Sequence, residues 1–192
     1  MHGILSANEA RGESVFEGNL IRLREYHKED IPLAWKYVND PEVKRNLTPG
    51  VPFPMRLEDE EKWYEQQEAG KDTFNFAIER REDNTYLGGC GINEVDWKNR
   101  CVVVGIFLGR EFWDKGYGTD AMKTLLRFIF EQMNIHRVEL RTYSFNPRAQ
   151  RSYEKCGFKK EATLRQRVFR DGQYHNEIVM AILLKEWIAL ND

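Results

Sequence analysis

With 192 residues, 41% of them hydrophobic and 31% charged, the chain is long enough to bury a core without cross-links and has the mixture of an ordinary globular domain. A formal net charge of −2 excludes a global pull toward nucleic acid or a membrane surface, and no apolar run reaches the length of a bilayer-spanning helix. Three cysteines without a CxxC pair and four histidines without ligand spacing argue for reduced core thiols, no metal and a cytoplasmic location.

The polar residues 1–15 lack the apolar stretch of a signal peptide and read as a flexible arm, leaving 16–192 as one domain. Residues 19–24 alternate as a short strand, and 28–38 read as a helix. Three prolines and a glycine make 46–54 a loop, and 57–69 return to helix with carboxylates on the first turns, where the dipole favours them. Strands follow at 73–79 and 86–94 around an Asp83-Asn84 turn, then at Cys101–Leu108 after a turn at Lys98-Asn99. From Ala121 the apolar residues Met122, Leu125, Leu126, Ile129, Phe130 and Met133 form one helical stripe, so a long helix packs on the sheet. A strand at 136–143 opens with His136, read as a packed structural residue. Asn146-Pro147 then reads as an N-cap followed by proline at the first helical position, with Gly157 placed to end the helix. Residues 159–169 and 174–184 complete a hairpin around Asp171-Gly172. This order predicts a mixed α/β (α+β) domain, not regular βαβ alternation.

The segment Gly116-Tyr117-Gly118-Thr119 carries the chemistry. Two glycines leave bare backbone where the long helix begins, so N–H groups and the positive end of the dipole converge on one spot suited to a phosphate. The same residues, with Asp120-Ala121 and a downstream Glu139, satisfy the dinucleotide pattern G-x-G-x-x-A. Three features oppose that reading: residues 109–115 separate the glycines from their strand, antiparallel strands precede them, and too little chain follows Glu139 for a second half-sheet.

Asn146-Pro147-Arg148-Ala149 followed by Ser152-Tyr153-Glu154-Lys155-Cys156-Gly157-Phe158 resembles the N-x-x-A…YxKxGF signature of the GNAT superfamily of N-acetyltransferases. The block from Phe112 through Trp113, Asp114 and Lys115 to Thr119 resembles their acetyl-CoA loop. Order and tail are most similar to the branch holding ribosomal-protein N-terminal and spermidine acetyltransferases, over roughly residues 19–187. The resemblance implies a central mixed sheet that splays beside the strand Cys101–Leu108 and is flanked by helices. In that gap Ile106, Phe107 and Leu108 would pair with the pantetheine arm of acetyl-CoA, and backbone from Trp113 to Thr119 would hold its pyrophosphate. Trp113 stands where many members have Gln or Arg.

Each residue also has a plainer reading. Gly116 and Gly118 would serve to relieve packing at a helix start, and Thr119 to cap it. Asn146 is an N-cap that family members also use to bind the pantetheine arm. Tyr153 is either a core tyrosine or, by resemblance, the general acid that protonates the departing thiolate. Arg151, on the helix that the family sets near the cofactor, is the preferred cation for a phosphate. No glutamate stands five residues before Asn146, where some N-terminal acetyltransferases carry one; Arg141 does. Glu94 is therefore the candidate base, with Asp96 and a water chain as substitutes and an exposed turn as the plain alternative. The resemblance thus implies an acetyl-CoA-dependent N-acetyltransferase acting on a primary amine in a ternary complex. Its rivals are a non-catalytic CoA-binding regulatory module and, more distantly, a nicotinamide-dependent enzyme. Residues 56–68 hold six acidic side chains against two basic ones, which read as ordinary helix surface or as a rim fit to attract a cationic amine. Trp35, Tyr37, Phe53, Trp63 and Tyr64 are candidates to line an acceptor pocket or to pack the core. A homodimer is left open.

Overall fold

A computed structural model describes residues 14–47, 50–66 and 74–191, so most of the expected arm lies outside the described residues. The elements in chain order are β1 (Ile21–Arg24), α1 (Ile31–Asn39), α2 (Pro41–Leu47), α3 (Leu57–Glu65), β2 (Phe74–Arg80), β3 (Tyr86–Asp96) and β4 (Cys101–Leu108). Then come α4 (Tyr117–Gln132), β5 (Arg137–Tyr143), α5 (Pro147–Glu154), β6 (Lys159–Arg170), β7 (Gln173–Leu183) and α6 (Leu184–Asn191).

Sequence reading does not resolve α2 or α6. It places residue 46 in a loop, yet α2 runs to Leu47, because Asp40 breaks the helix with ψ 126° and caps the next one. Its Oδ1 accepts the N–H groups of Glu42 (2.8 Å) and Val43 (3.3 Å), with Pro41 at the first turn. His136 is not packed: its side chain is exposed. Its backbone is what matters, donating to the Arg100 carbonyl (2.8 Å) and accepting from Leu184 N–H (2.9 Å).

The seven strands lie in the order β1-β2-β3-β4-β5-β7-β6. Every neighbouring pair is antiparallel except β4 and β5. Helix α4 buries Ala121, Met122, Leu125, Leu126 and Ile129 in a core with Ile21, Ile78, Ile92, Val102, Val138 and Ile182. Each Met, Leu, Ile or Val side chain among them contributes about 1.5–3 kcal/mol when removed from water, before conformational entropy is counted.

The one parallel pair is short. Strands β4 and β5 pair at Cys101↔Arg137, Val102↔Val138 and Val103↔Glu139 and then diverge. Beyond that point β4 stays with β3 as far as Leu108↔Gly88, while β5 stays with β7 as far as Tyr143↔Glu177. A wedge therefore opens in the middle of the sheet, with two inner strand edges facing it. Backbone polar groups on such edges need partners, and a ligand is one way to supply them.

Candidate active site

A cavity of about 820 Å³ fills the wedge. That lies within the range typical of small-molecule sites. Of the residues nominated from the sequence for catalysis or cofactor binding, all but Lys115, Tyr117 and the substitute base Asp96 line it. Tyr117 points away, its hydroxyl accepting from Arg80 Nη1 at 3.5 Å.

At the mouth, Asp114 (φ 59°) and Gly116 (φ 87°, ψ −15°) are both left-handed, and Gly116 is the N-cap of α4. Glycine is demanded at 116 by that φ. Gly118 is different: it lies inside the helix, and a Cβ there would meet only Leu108 Cδ1 at 3.4 Å, ordinary contact. Neither packing nor φ accounts for it. Among the described residues no side chain caps α4, so its first N–H groups retain their hydrogen-bonding capacity at the cavity mouth. Those donors, the dipole and the bare backbone at 118 fit a phosphate. Thr119 is already engaged, its Oγ1 lying 2.9 Å from Ser152 Oγ of α5.

Asp120 does not stand out in the sequence, although an acid in a first helical turn is a signal. Its carboxylate accepts backbone N–H groups from Asn19 (3.1 Å), Leu20 (2.7 Å) and Ile21 (3.1 Å), pinning the start of β1 to α4.

Helix α5 forms the adjoining wall. Asn146 Oδ1 accepts the Ala149 N–H at 3.1 Å, which is the expected N-cap. The Arg148 guanidinium stacks over the Trp113 ring, 3.2 Å from its centroid, and Trp113 Nε1 donates to the Leu108 carbonyl at 3.0 Å. Trp113 thus clasps the end of β4 to α5 through a cation–π contact. Arg151 and Lys155 are exposed and line the same wall. Tyr153 packs edge-on against Phe158 with centroids 6.0 Å apart while still lining the cavity. Burial pushes its hydroxyl up to about 12, so it stays protonated at neutral pH.

The cavity is also lined by residues that sequence reasoning mostly misses: Tyr26, Asn75, Asn93, Arg141, Arg167 and Glu177. Glu94 stands there too, exposed, just after a register shift in β3 between Ile92 and Glu94. Asp96 is a turn residue instead. It accepts the Asn99 N–H at 2.9 Å and its side-chain amide at 2.7 Å, bonds that hold its carboxyl below the usual range.

On the acceptor side two pairs of alternatives are separated. Of α3 only Trp63 lines the cavity, so its carboxylates form no inner rim. Glu60 is instead buried and raised by desolvation, while Asp59 pairs with Arg56. Of the nominated aromatics, Trp63 lines the cavity and packs edge-on to Tyr26 at 5.2 Å, whereas Tyr37 stacks in the core on Tyr86. The remainder lie elsewhere.

Among the described residues no three His, Cys, Asp or Glu side chains gather to hold a metal ion. No described helix is long and apolar enough to cross a membrane.

Residues 21–159 match the acetyltransferase (GNAT) domain. An uncharacterized, SPbeta prophage-derived N-acetyltransferase of Bacillus subtilis, YokL, is 30% identical over 171 residues, 88% of this chain and 93% of the relative. The spermidine N(1)-acetyltransferase of Escherichia coli is 25% identical over 169 residues, 88% and 89% of the two chains. The crystal structure of the spermidine N-acetyltransferase from Vibrio cholerae in complex with CoA and spermine has the same fold. It matches with a TM-score of 0.80 and 22% identity over 88% of this chain and 98% of that one.

Proposed function

The chain belongs to the GNAT family of N-acetyltransferases, and on that footing we propose how the residues around the wedge divide the work. The enzyme moves an acetyl group from acetyl-CoA to a primary amine by direct attack while both substrates are bound. The observation that carries the assignment of roles is Gly118, a helical glycine at the cavity mouth that the protein's own packing does not require.

Backbone N–H groups from Trp113 to Thr119 take the pyrophosphate, with the α4 dipole behind them and Arg151 as the nearby cation. The open edge of β4 at Ile106, Phe107 and Leu108 pairs with the pantetheine amides as a neighbouring strand would. Asn146 spends its Oδ1 on Ala149 N–H and offers its Nδ2 to the same arm.

In the reaction the amine lone pair attacks the thioester carbonyl carbon, a C–N bond forms and the C–S bond breaks. The Tyr153 hydroxyl gives its proton to the leaving sulfur. Glu94, directly or through water, takes the proton that the nitrogen sheds, and solvent returns one to Tyr153. Backbone N–H of β4 polarises the carbonyl, and positioning the two reactants supplies much of the acceleration. The unbridged thiols Cys90, Cys101 and Cys156 fit a cytoplasmic enzyme.

Calorimetric titration with acetyl-CoA and a thiol-release assay over an amine panel test this reading. Saturable heat and amine-dependent release of CoA are expected. Folded protein that gives no heat with acetyl-CoA sinks it.

A further inference from the structure

The side of the cavity formed by β5, β7 and β6 carries two guanidiniums. Side chains alternate along β5, so Arg141 and Tyr143 share a face, and Tyr143 stands opposite Glu177 of β7 on that face. All three line the cavity. Arg141 Nη1 lies 3.5 Å from Glu177 Oε2, and Glu177 is only 3% exposed, so the carboxylate holds the guanidinium in place.

A second guanidinium arrives by a distortion of β6. Leu164 pairs with Glu177 and Val168 with His175, so three β6 residues stand against Asn176 alone. Within that bulge Gln166 is left-handed at φ 53°, a conformation costly for a residue with a side chain. The bulge is anchored: Gln166 N–H donates to Asn176 Oδ1 at 2.9 Å, and Asn176 N–H donates to Ser144 Oγ at 3.2 Å. Its effect is to separate a pair of arginines that regular alternation would keep on one face. Arg165 and Gln166 line a separate shallow hollow, whereas Arg167 lines the main cavity. Bulges near ligand sites commonly re-aim a side chain in this way. Among the described residues Arg167 makes no ion pair. Two guanidiniums and one carboxylate therefore face the cavity from the β5–β7–β6 wall, while Glu94 faces it from β3.

We propose that the acceptor is a primary amine carrying a carboxylate on the same molecule, with Arg167 and Arg141 holding the carboxylate and the amine lying on the Glu94 side. The proposal deepens the acetyltransferase reading and rests on it. A guanidinium fork matches a carboxylate bidentately, and the second ammonium of a polyamine placed here would meet like charge. Glu177 acts as a positioning residue for Arg141.

The test compares matched acceptors by CoA release: lysine with cadaverine, tyrosine with tyramine, and amidated dipeptides beginning with Asp or Glu with those beginning with Ala. The carboxylate-bearing member of at least one pair should show about a tenfold or greater advantage in kcat/KM, on the order of one charge-assisted contact. Which pairs respond separates a free amino acid from an acidic peptide. In Arg167→Gln that advantage should fall toward unity through a rise in KM, and Arg167→Lys should recover some of it. Equal or faster turnover of the decarboxylated members, an advantage that survives Arg167→Gln, or no turnover across the panel overturns the proposal. Calorimetry with acetyl-CoA on the same protein reports separately on the reading beneath it.

Discussion

Replacing each mouth glycine by alanine should move stability and affinity in different directions. At Gly116 the backbone sits at φ 87°, and the nearest atom to a new Cβ is Leu20 Cδ1 at 3.4 Å, so strain and not collision sets the cost. Holding alanine in a left-handed conformation costs about 1–2 kcal/mol, which lowers Tm by about 2–8 °C in a chain of this size. At Gly118 the backbone is helical and a Cβ has room beside Leu108 Cδ1. Alanine there removes backbone entropy from the unfolded chain and favours helix, so Gly118→Ala should be neutral or up to about 1 kcal/mol more stable. The new methyl group would nevertheless stand over the N–H groups assigned to the pyrophosphate. The structure thus predicts a protein that melts no lower yet binds acetyl-CoA at least about tenfold more weakly, a loss of about 1.4 kcal/mol. Differential scanning calorimetry and titration calorimetry on the same preparations read the two quantities. If Gly118→Ala binds acetyl-CoA as tightly as the native protein, the diphosphate does not lie against this turn and the reasoning fails.

Three further outcomes follow from single contacts. Tyr153→Phe keeps the edge-on packing against Phe158 but removes the proton, so kcat at saturating substrates should drop on the order of 100-fold; an unchanged rate and pH profile would leave the hydroxyl without its assigned role. Asn146→Ala deletes the bond to Ala149 N–H and should cost about 1 kcal/mol of stability, measurable as a lower urea midpoint. Burial raises Glu60 above the ordinary carboxylate range, so the folded state holds that proton more tightly than the unfolded chain does. Its contribution to stability is then full below the unfolded value and declines as pH rises through the folded one. Glu60→Gln removes the cost of burying the charge, so its gain over the native protein should grow from acid to neutral pH, and urea midpoints with a pH-independent difference would refute that.

The sequence is most legible where one periodicity dominates. The α4 stripe from Ala121 to Ile129 is buried as the helical spacing requires, and the Asn146-Pro147 pair caps α5 as its chemistry dictates. Short helices are the weak point: Asp40-Pro41 carries a cap and a first-turn proline, but α2 offers only Val43 for full burial, too little to mark a stripe. The residues nominated for the cofactor can be gathered from the sequence because they fall in two contiguous blocks. The other cavity-lining residues cannot. Tyr26, Asn75, Arg141, Arg167 and Glu177 come from separate elements and meet only through sheet register. The β6 bulge is the extreme case, since alternation predicts Arg165 and Arg167 on one face and the structure separates them. The acidic helix leaves two readings open for a related reason. A run of charge states composition, not direction, and α3 turns one carboxylate into the protein and most of the others toward solvent.

The wedge itself explains why so little of the cofactor wall is written in side-chain identity. Strand β4 is held on one edge by β3 along Gly88↔Leu108, Gly89↔Phe107 and Cys90↔Ile106, and its other edge loses β5 after Val103. A ligand that offers amides to that free edge is bound by strand geometry, which any residue but proline can supply. The same holds at the α4 mouth, where the donors are main-chain N–H groups. What the sequence must specify is therefore the shape that keeps the edge open and the turn bare. That work falls to Gly116, to Gly118 and to the Trp113 bridge between the Leu108 carbonyl and Arg148. On the proposed assignment, side-chain identity returns as the deciding variable at Tyr153 and Glu94, where protons would move, and on the β5–β7–β6 wall, where the acceptor would be chosen.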